Sequence, residues 1–185
     1  MKNKLAIFDL DGTLFDTTKV NYLAYRDALI NYNCNFSYEY YKTYCNGRYY
    51  KDFLPTIIKC NNSILEDIHK IKKDVYSSYL AHAVINTHLF SIIEHISCEY
   101  YIAIVTSASK KNCYDILNFF SKTSLFDLII THEDVKEVKP NPEGFIKAME
   151  FFKINVKDTL IFEDSKSGIT AAKASGAGVF IVDTF

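Results

Sequence analysis

The sequence predicts an α/β chain, a doubly wound parallel sheet whose first strand is separated from the others by an all-helical insertion. Two observations carry this. Short unbroken apolar runs recur at Leu5 to Phe8, Tyr101 to Val105, Leu128 to Ile130, Thr159 to Phe162 and Val179 to Val182. They lack the polar alternation of a half-solvated strand, so each reads as a strand covered on both faces. Between the later runs lie stretches of helical period, and strand–helix–strand alternation is the pattern of a parallel sheet with helices on both sides.

Taken in order, Leu5 to Phe8 is the first strand, and it stops at Asp9. From about Thr17 to Asn86 the alternation breaks and helices dominate. Val20, Leu23, Ala24, Ala28 and Tyr32 trace one stripe, and Ile64, Ile68, Ile71, Val75 and Tyr79 trace another. Asn61-Asn62-Ser63 supplies a turn and an N-cap before the latter. After the second strand, Cys113, Ile116, Leu117 and Phe120 mark a helix over Ser109 to Phe120. Pro142 suits the first turn of a helix through Phe145, Ile146, Met149 and Phe152. The Ala-rich stretch Ser165 to Ala174 closes at Gly176, a C-terminal cap. The expected organisation is an α/β core of residues 1–16 and 87–185, Rossmann-like in its winding, with an all-helical domain at 17–86.

Composition excludes several classes of function. With 185 residues, 49% of them hydrophobic and 23% charged, the chain can bury a real core and is not a disordered tail. Lys and Arg number 21 against 22 Asp and Glu, which excludes a bulk electrostatic affinity for nucleic acid or anionic membrane. Leu5 to Phe8 is too short for a signal-peptide core. The five cysteines, Cys34, Cys45, Cys60, Cys98 and Cys113, are scattered and form no C-x-x-C pair, so neither a disulfide framework nor a zinc site is expected. The expectation is a cytoplasmic monomer whose partner is a small molecule.

The chemistry gathers at four strand ends. In an open parallel sheet the ligand crevice lies beyond the carboxyl ends of the strands. The first strand ends in Asp9-Leu10-Asp11-Gly12-Thr13, where two carboxylates spaced by one residue can both turn toward that crevice. The second runs into Thr106-Ser107-Ala108-Ser109, small hydroxyls and backbone N–H groups of the kind that cradle phosphate. After the third comes Val138-Lys139-Pro140-Asn141-Pro142, whose prolines stiffen the loop around the Lys139 ammonium. The fourth ends Glu163-Asp164-Ser165, an acidic pair that is costly unless a cation neutralises it. Each feature alone has an ordinary explanation as a cap, a turn or a surface lysine. Together they offer an ion to Asp9, Asp11 and Asp164, and phosphoryl oxygens to Thr106 and Lys139.

Phe8-Asp9-Leu10-Asp11-Gly12-Thr13-Leu14-Phe15-Asp16 resembles the first motif of the haloacid dehalogenase superfamily, and Thr106, Lys139 and Glu163-Asp164 fall where that family has its other three. The stretch from Phe162 to Gly176 is similar to the subgroup containing β-phosphoglucomutase and phosphoglycolate phosphatase, which carries a helical cap after the first motif. The resemblance implies that Asp9 is the nucleophile and becomes an aspartyl phosphate, and that Asp11 is the general acid and base. It implies a Mg²⁺ held by Asp9, the Asp11 backbone carbonyl and Asp164, with Glu163 a ligand or a neighbour of one. Thr106, the Ser107 N–H and Lys139 would bind phosphate. In the cap, Asn46-Gly47-Arg48 resembles a substrate-facing loop, so Arg48 would take a second anionic group.

The expected function is therefore a Mg²⁺-dependent phosphatase acting on a small phosphorylated metabolite. The presence of Asp11 argues against dehalogenation, since the family's dehalogenases lack that second acid. The nearest rival is a sugar-phosphate mutase. Mutases of the subgroup place a histidine where Asn21 stands, and Asn cannot exchange a proton at neutral pH; Lys110 falls within one residue of a lysine they carry after the second motif, and reads by itself as a solvated helix residue. A rival of another class is a non-catalytic binding module on the same fold, which would have no need of a nucleophile beside an acid.

Overall fold

The computed structural model describes residues 2–183; Met1, Thr184 and Phe185, at the ends of the predicted core, lie outside the described residues. The chain groups into two compact units, one running to Asp16 and resuming at Val84, the other Thr17–Ala83.

In the first unit, β1 (Lys4–Phe8), β4 (Tyr100–Val105), β5 (Leu128–Ile130), β6 (Thr159–Glu163) and β7 (Gly178–Ile181) form a parallel sheet in the order β5-β4-β1-β6-β7. The chain winds to one side of β1 and then to the other, so the topological switch point lies at the central strand. Alternate residues serve opposite faces. Leu5, Ile7, Ala103, Val105, Ile130 and Ile161 face one side. They pack with Phe145, Ala148 and Met149 of α7 (Glu143–Phe152) and Ala171 and Ala172 of α8 (Lys166–Ser175). Ala6, Phe8, Ile102 and Ile104 face the other side and are equally buried. Outside that cluster, α5 (Thr87–Ile96) buries Phe90 and Ile93, and α6 (Lys110–Phe119) buries Ile116 and Leu117. Burial on both faces is why β1, β4 and β6 read as continuous apolar runs; β7, expected to be covered on both faces, is instead an edge strand with Phe180 and Ile181 each 57% exposed.

Local signals set the ends of these helices. Ser109 and Ser165 accept from the Asn112 and Gly168 N–H groups as N-caps of α6 and α8. Gly176 ends α8 at φ 83°, the left-handed conformation that glycine reaches without a Cβ clash. Pro142 stands at the N-cap of α7 instead of inside its first turn. Two elements were not expected. α5 carries only a short stripe of Leu89, Phe90 and Ile93. The second is a ribbon in which β2 (Phe15–Asp16) pairs antiparallel with β3 (Val84–Ile85). That pairing draws residues 84–86 out of the expected helical stretch, and the second junction falls at Ala83–Val84.

The second unit is helical: α1 (Thr18–Ile30), α2 (Tyr38–Tyr44), α3 (Tyr50–Ile57), α4 (Asn62–Val75) and a 3₁₀ segment, Tyr76–His82. Its core is aromatic, because all the tyrosines except Tyr100, Tyr101 and Tyr114 lie here. Tyr25 and Tyr41 pack on Phe53, and Tyr50 stacks on the His69 ring at 3.9 Å between centroids. Buried hydroxyls need partners, and they have them. Tyr25 bonds His69 Nδ1, Tyr50 donates to Glu66, and Tyr79 donates to Asp27.

The central strand makes a direct stability prediction. Ile7 has no exposed surface, so Ile7→Ala should cost about 2–5 kcal/mol in urea unfolding. Ile30→Ala, at a residue 60% exposed, should change it by no more than about 0.5 kcal/mol. Equal costs would contradict this assignment of the core.

Candidate active site

Strand register builds the site. Phe8 lies level with Phe162 of β6 and Ile104 of β4, and the Asp9 N–H donates to the Phe162 carbonyl at 3.0 Å. Asp9 therefore stands beside Glu163, the last residue of β6, and one step short of the level of Thr106, which follows β4. Lys139 reaches in from the loop before α7. Its Nζ donates to Asp9 Oδ1 at 2.5 Å, Glu163 Oε1 at 2.6 Å and the Val105 carbonyl at 2.8 Å. All three ammonium protons are thus used. The Lys139 side chain is 7% exposed and that of Glu163 is 0% exposed, so this is a buried ion cluster and not a surface pair.

The acids are fixed from behind as well. Glu163 Oε2 accepts from the Ser165 N–H at 3.0 Å and the Ser165 hydroxyl at 3.1 Å, so both Glu163 oxygens are engaged. A Cβ on Gly168 would lie 1.7 Å from Glu163 Oε1, so only glycine admits this carboxylate against the first turn of α8. Asp164 Oδ1 accepts from the Thr13 hydroxyl at 2.9 Å.

Electrostatics follow from the burial. Burial pushes the Asp9 carboxyl well above the usual carboxylate range; Lys139 pulls it down, and Glu163 and Asp164 push it up again. Burial, with the Glu163 charge adding and the Thr13 hydrogen bond opposing, brings Asp164 up to about 6. Burial alone would lower Lys139, yet the charges and hydrogen bonds of Asp9 and Glu163 outweigh it and hold the ammonium above the usual lysine value.

The structure brings together Asp9, Glu163, Asp164 and Lys139. Each of the three acids offers an oxygen within 4.8 Å of the others, and the Asp11 carboxylate is not one of that group. Three carboxylates against one ammonium leave a formal charge of −2, which suits one divalent cation. The all-oxygen donor set suits a hard cation, of which Mg²⁺ is one. Thr106, Ser107 and Lys139 line one cleft with Val138 and Asn141. The Thr106 oxygen accepts from the Ala108 N–H at 3.0 Å, and its own proton can still be donated. Arg48 belongs to the helical unit, where its guanidinium donates to the carbonyls of Tyr44 at 3.0 Å and Asp52 at 3.4 Å. Ser165 and Thr13 were not singled out from sequence. Their signal was adjacency, one residue beyond Asp164 and two beyond Asp11.

Comparison with known proteins agrees with this geometry. The family model for haloacid dehalogenase-like hydrolases matches residues 6–182. The chain is 27% identical over 177 residues to a phosphorylated carbohydrates phosphatase of Thermotoga maritima, covering 92% of this chain and 80% of that protein. It is 25% identical over 172 residues to a fructose-1-phosphate phosphatase of Escherichia coli, covering 92% and 91%. The fold matches CbbY of Rhodobacter sphaeroides, solved in complex with phosphate, with a TM-score of 0.85 at 21% identity over 100% of this chain and 88% of that one. The chain belongs to the haloacid dehalogenase-like hydrolase family.

The raised acids make a pH prediction. The folded pKa of Asp164, about 6, lies above its unfolded value. Between about pH 4 and 6 the folded protein therefore holds a proton that the unfolded chain has lost, so stability falls as pH rises through that window and levels off above it. In chelator-containing buffer, Asp164→Asn should gain stability relative to the natural chain as pH goes from 4 to 7, read from urea midpoints. A constant or shrinking difference would contradict the raised value.

Proposed function

We propose that the chain is a Mg²⁺-dependent phosphatase that hydrolyses a small phosphate monoester through an aspartyl phosphate on Asp9. The observation that carries this is the Lys139 ammonium bonded to both Asp9 and Glu163, beside Asp164, at the switch point of the sheet. Such an arrangement gives a nucleophile, an ion site and a positive charge beside them in one crevice.

In this reading Asp9 attacks phosphorus, the ester oxygen leaves, and Asp11 gives that oxygen a proton. Asp11 then takes a proton from water as its oxygen attacks the aspartyl phosphate, which releases inorganic phosphate and restores Asp9. Thr106, the Ser107 N–H and Lys139 spread the charge that develops on the phosphoryl oxygens. Asp9, Asp164 and the Asp11 carbonyl would hold Mg²⁺. Glu163, with both oxygens engaged by Lys139 and Ser165, serves chiefly to aim the ammonium. Bound Mg²⁺ supplies the positive charge that keeps the crowded acids ionised and offsets phosphate charge.

Relatives named for phosphorylated carbohydrates and fructose 1-phosphate support a sugar phosphate or similar metabolite as substrate. The helical unit serves as the cap. Arg48 uses some of its five donors on Tyr44 and Asp52, leaving others for a substrate anion. The Asn21 amide donates to the Thr17 hydroxyl at 3.0 Å, a structural role with no proton to exchange, which favours hydrolysis over phosphoryl return to a sugar. Among the described residues no helix is long and apolar enough to cross a membrane. The five free cysteines support a reducing, cytoplasmic setting.

Phosphate release from a panel of phosphorylated metabolites, with Mg²⁺ and with chelator, tests the proposal. Turnover should require Mg²⁺, and Asp9→Asn should lower it by about three orders of magnitude or more. Retention of more than roughly a tenth of the activity, a loss of under about 1.4 kcal/mol, would rule out the covalent step. Efficient conversion of β-glucose 1-phosphate to glucose 6-phosphate would replace the phosphatase with a mutase.

A further inference from the structure

Asp164, at the end of the fourth core strand, is held by Gly12 and Thr13 of the turn after the first. Its Oδ1 takes the Thr13 hydroxyl at 2.9 Å, and Thr13 is 0% exposed, so solvent cannot stand in for that hydroxyl. Gly12, at φ 96°, passes so close to Asp164 that a Cβ there would lie 2.1 Å from Oδ2. One carboxylate thus rests on the backbone of Gly12 and is tethered by the side chain of the next residue.

The turn that presents Thr13 is tight. The Leu14 and Phe15 N–H groups both donate to the Leu10 carbonyl, at 3.1 and 3.0 Å, and the Gly12 N–H donates to the Phe15 carbonyl at 2.8 Å. The carbonyls of Thr13 and Leu14 face away from these bonds and need other donors. Asn86, 73 residues later, supplies both. Its Nδ2 donates to the Thr13 carbonyl at 3.1 Å and its N–H to the Leu14 carbonyl at 2.9 Å. Its Oδ1 accepts from the Leu89 N–H at 3.2 Å and so caps α5. Asn86 is 4% exposed, so one buried amide ties the start of α5 to the turn that carries Thr13.

We propose that Thr13 and Asn86 are positioning residues for the ion-binding carboxylate: Thr13 fixes one oxygen of Asp164 and thereby aims the other, and Asn86 holds the Thr13 turn in place. This rests on the reading of Asp164 as an ion ligand. A carboxylate already fixed in its rotamer loses less freedom on binding a cation, and hydrogen-bond partners of metal ligands commonly govern affinity about tenfold to a hundredfold.

The test is calorimetric titration of Mg²⁺ into the full chain without substrate, paired with the Mg²⁺-dependent rise in unfolding temperature. Thr13→Val keeps the shape and removes the hydroxyl; Thr13→Ser keeps the hydroxyl; Asn86→Ser keeps a cap acceptor for Leu89 and removes the donor to Thr13. Mg²⁺ should bind about tenfold or more weakly to Thr13→Val, with near-natural affinity to Thr13→Ser, and several-fold more weakly to Asn86→Ser. Asp164→Ala separates the two levels of the argument. If Asp164→Ala loses Mg²⁺ while Thr13→Val and Asn86→Ser bind like the natural chain, the positioning role is overturned and the ion site stands. If Asp164→Ala binds unchanged, the ion reading fails and this inference fails with it. Should Thr13→Val not fold, Asn86→Ser carries the same decision, natural affinity overturning the proposal and weakened affinity supporting it.

Discussion

The buried ammonium of Lys139 is the contact on which the site depends. Asp9 and Glu163 end adjacent strands, and the register of β1 against β6 leaves them side by side with almost no solvent. Two carboxylates so placed repel one another and lack hydration, a cost that grows as the local dielectric falls. Lys139 offsets it by donating to both acids and to the Val105 carbonyl at the end of β4. The loop before α7 thereby joins three strand ends through one buried ammonium.

Glycine makes room for that arrangement at two points. Gly168 lets the Glu163 carboxylate lie against the first turn of α8, where Ser165 can give it both an N–H and a hydroxyl. Gly12 lets the turn after β1 close over Asp164. Neither glycine does chemistry. Both set how near backbone and carboxylate can approach.

Much of this was legible in the sequence because the informative residues sit at strand ends. A continuous apolar run that stops at Asp9, Thr106 or Glu163 announces both the strand and the crevice beyond it, and parallel register does the rest. The less legible parts depend on contacts between distant residues. The two-residue strands β2 and β3 are too short to carry a periodicity, and they become a ribbon only when residues 15 and 85 meet. α5 hides behind a stripe of three buried residues. Glu163 and Asp164 look alike as an acidic pair, yet Lys139 and Ser165 engage the first while Thr13 holds the second. Asn86 reads as a plain N-cap, and its hold on the Thr13 carbonyl has no local trace.

The measurement that bears most directly on the central claim is a double-mutant cycle between Lys139 and Glu163, read from urea unfolding in chelator-containing buffer at neutral pH. Lys139→Met strands two buried acids and Glu163→Gln removes one of the charges that the ammonium answers, so Lys139→Met should cost about 3–5 kcal/mol. Once Lys139 is gone, the Glu163 charge is only a burden, so Glu163→Gln in that background should recover stability. The cycle should show a coupling of about 2 kcal/mol or more. Additivity to within about 0.5 kcal/mol would mean that the ammonium and the acid do not stabilise one another, and that the site is held by its backbone alone.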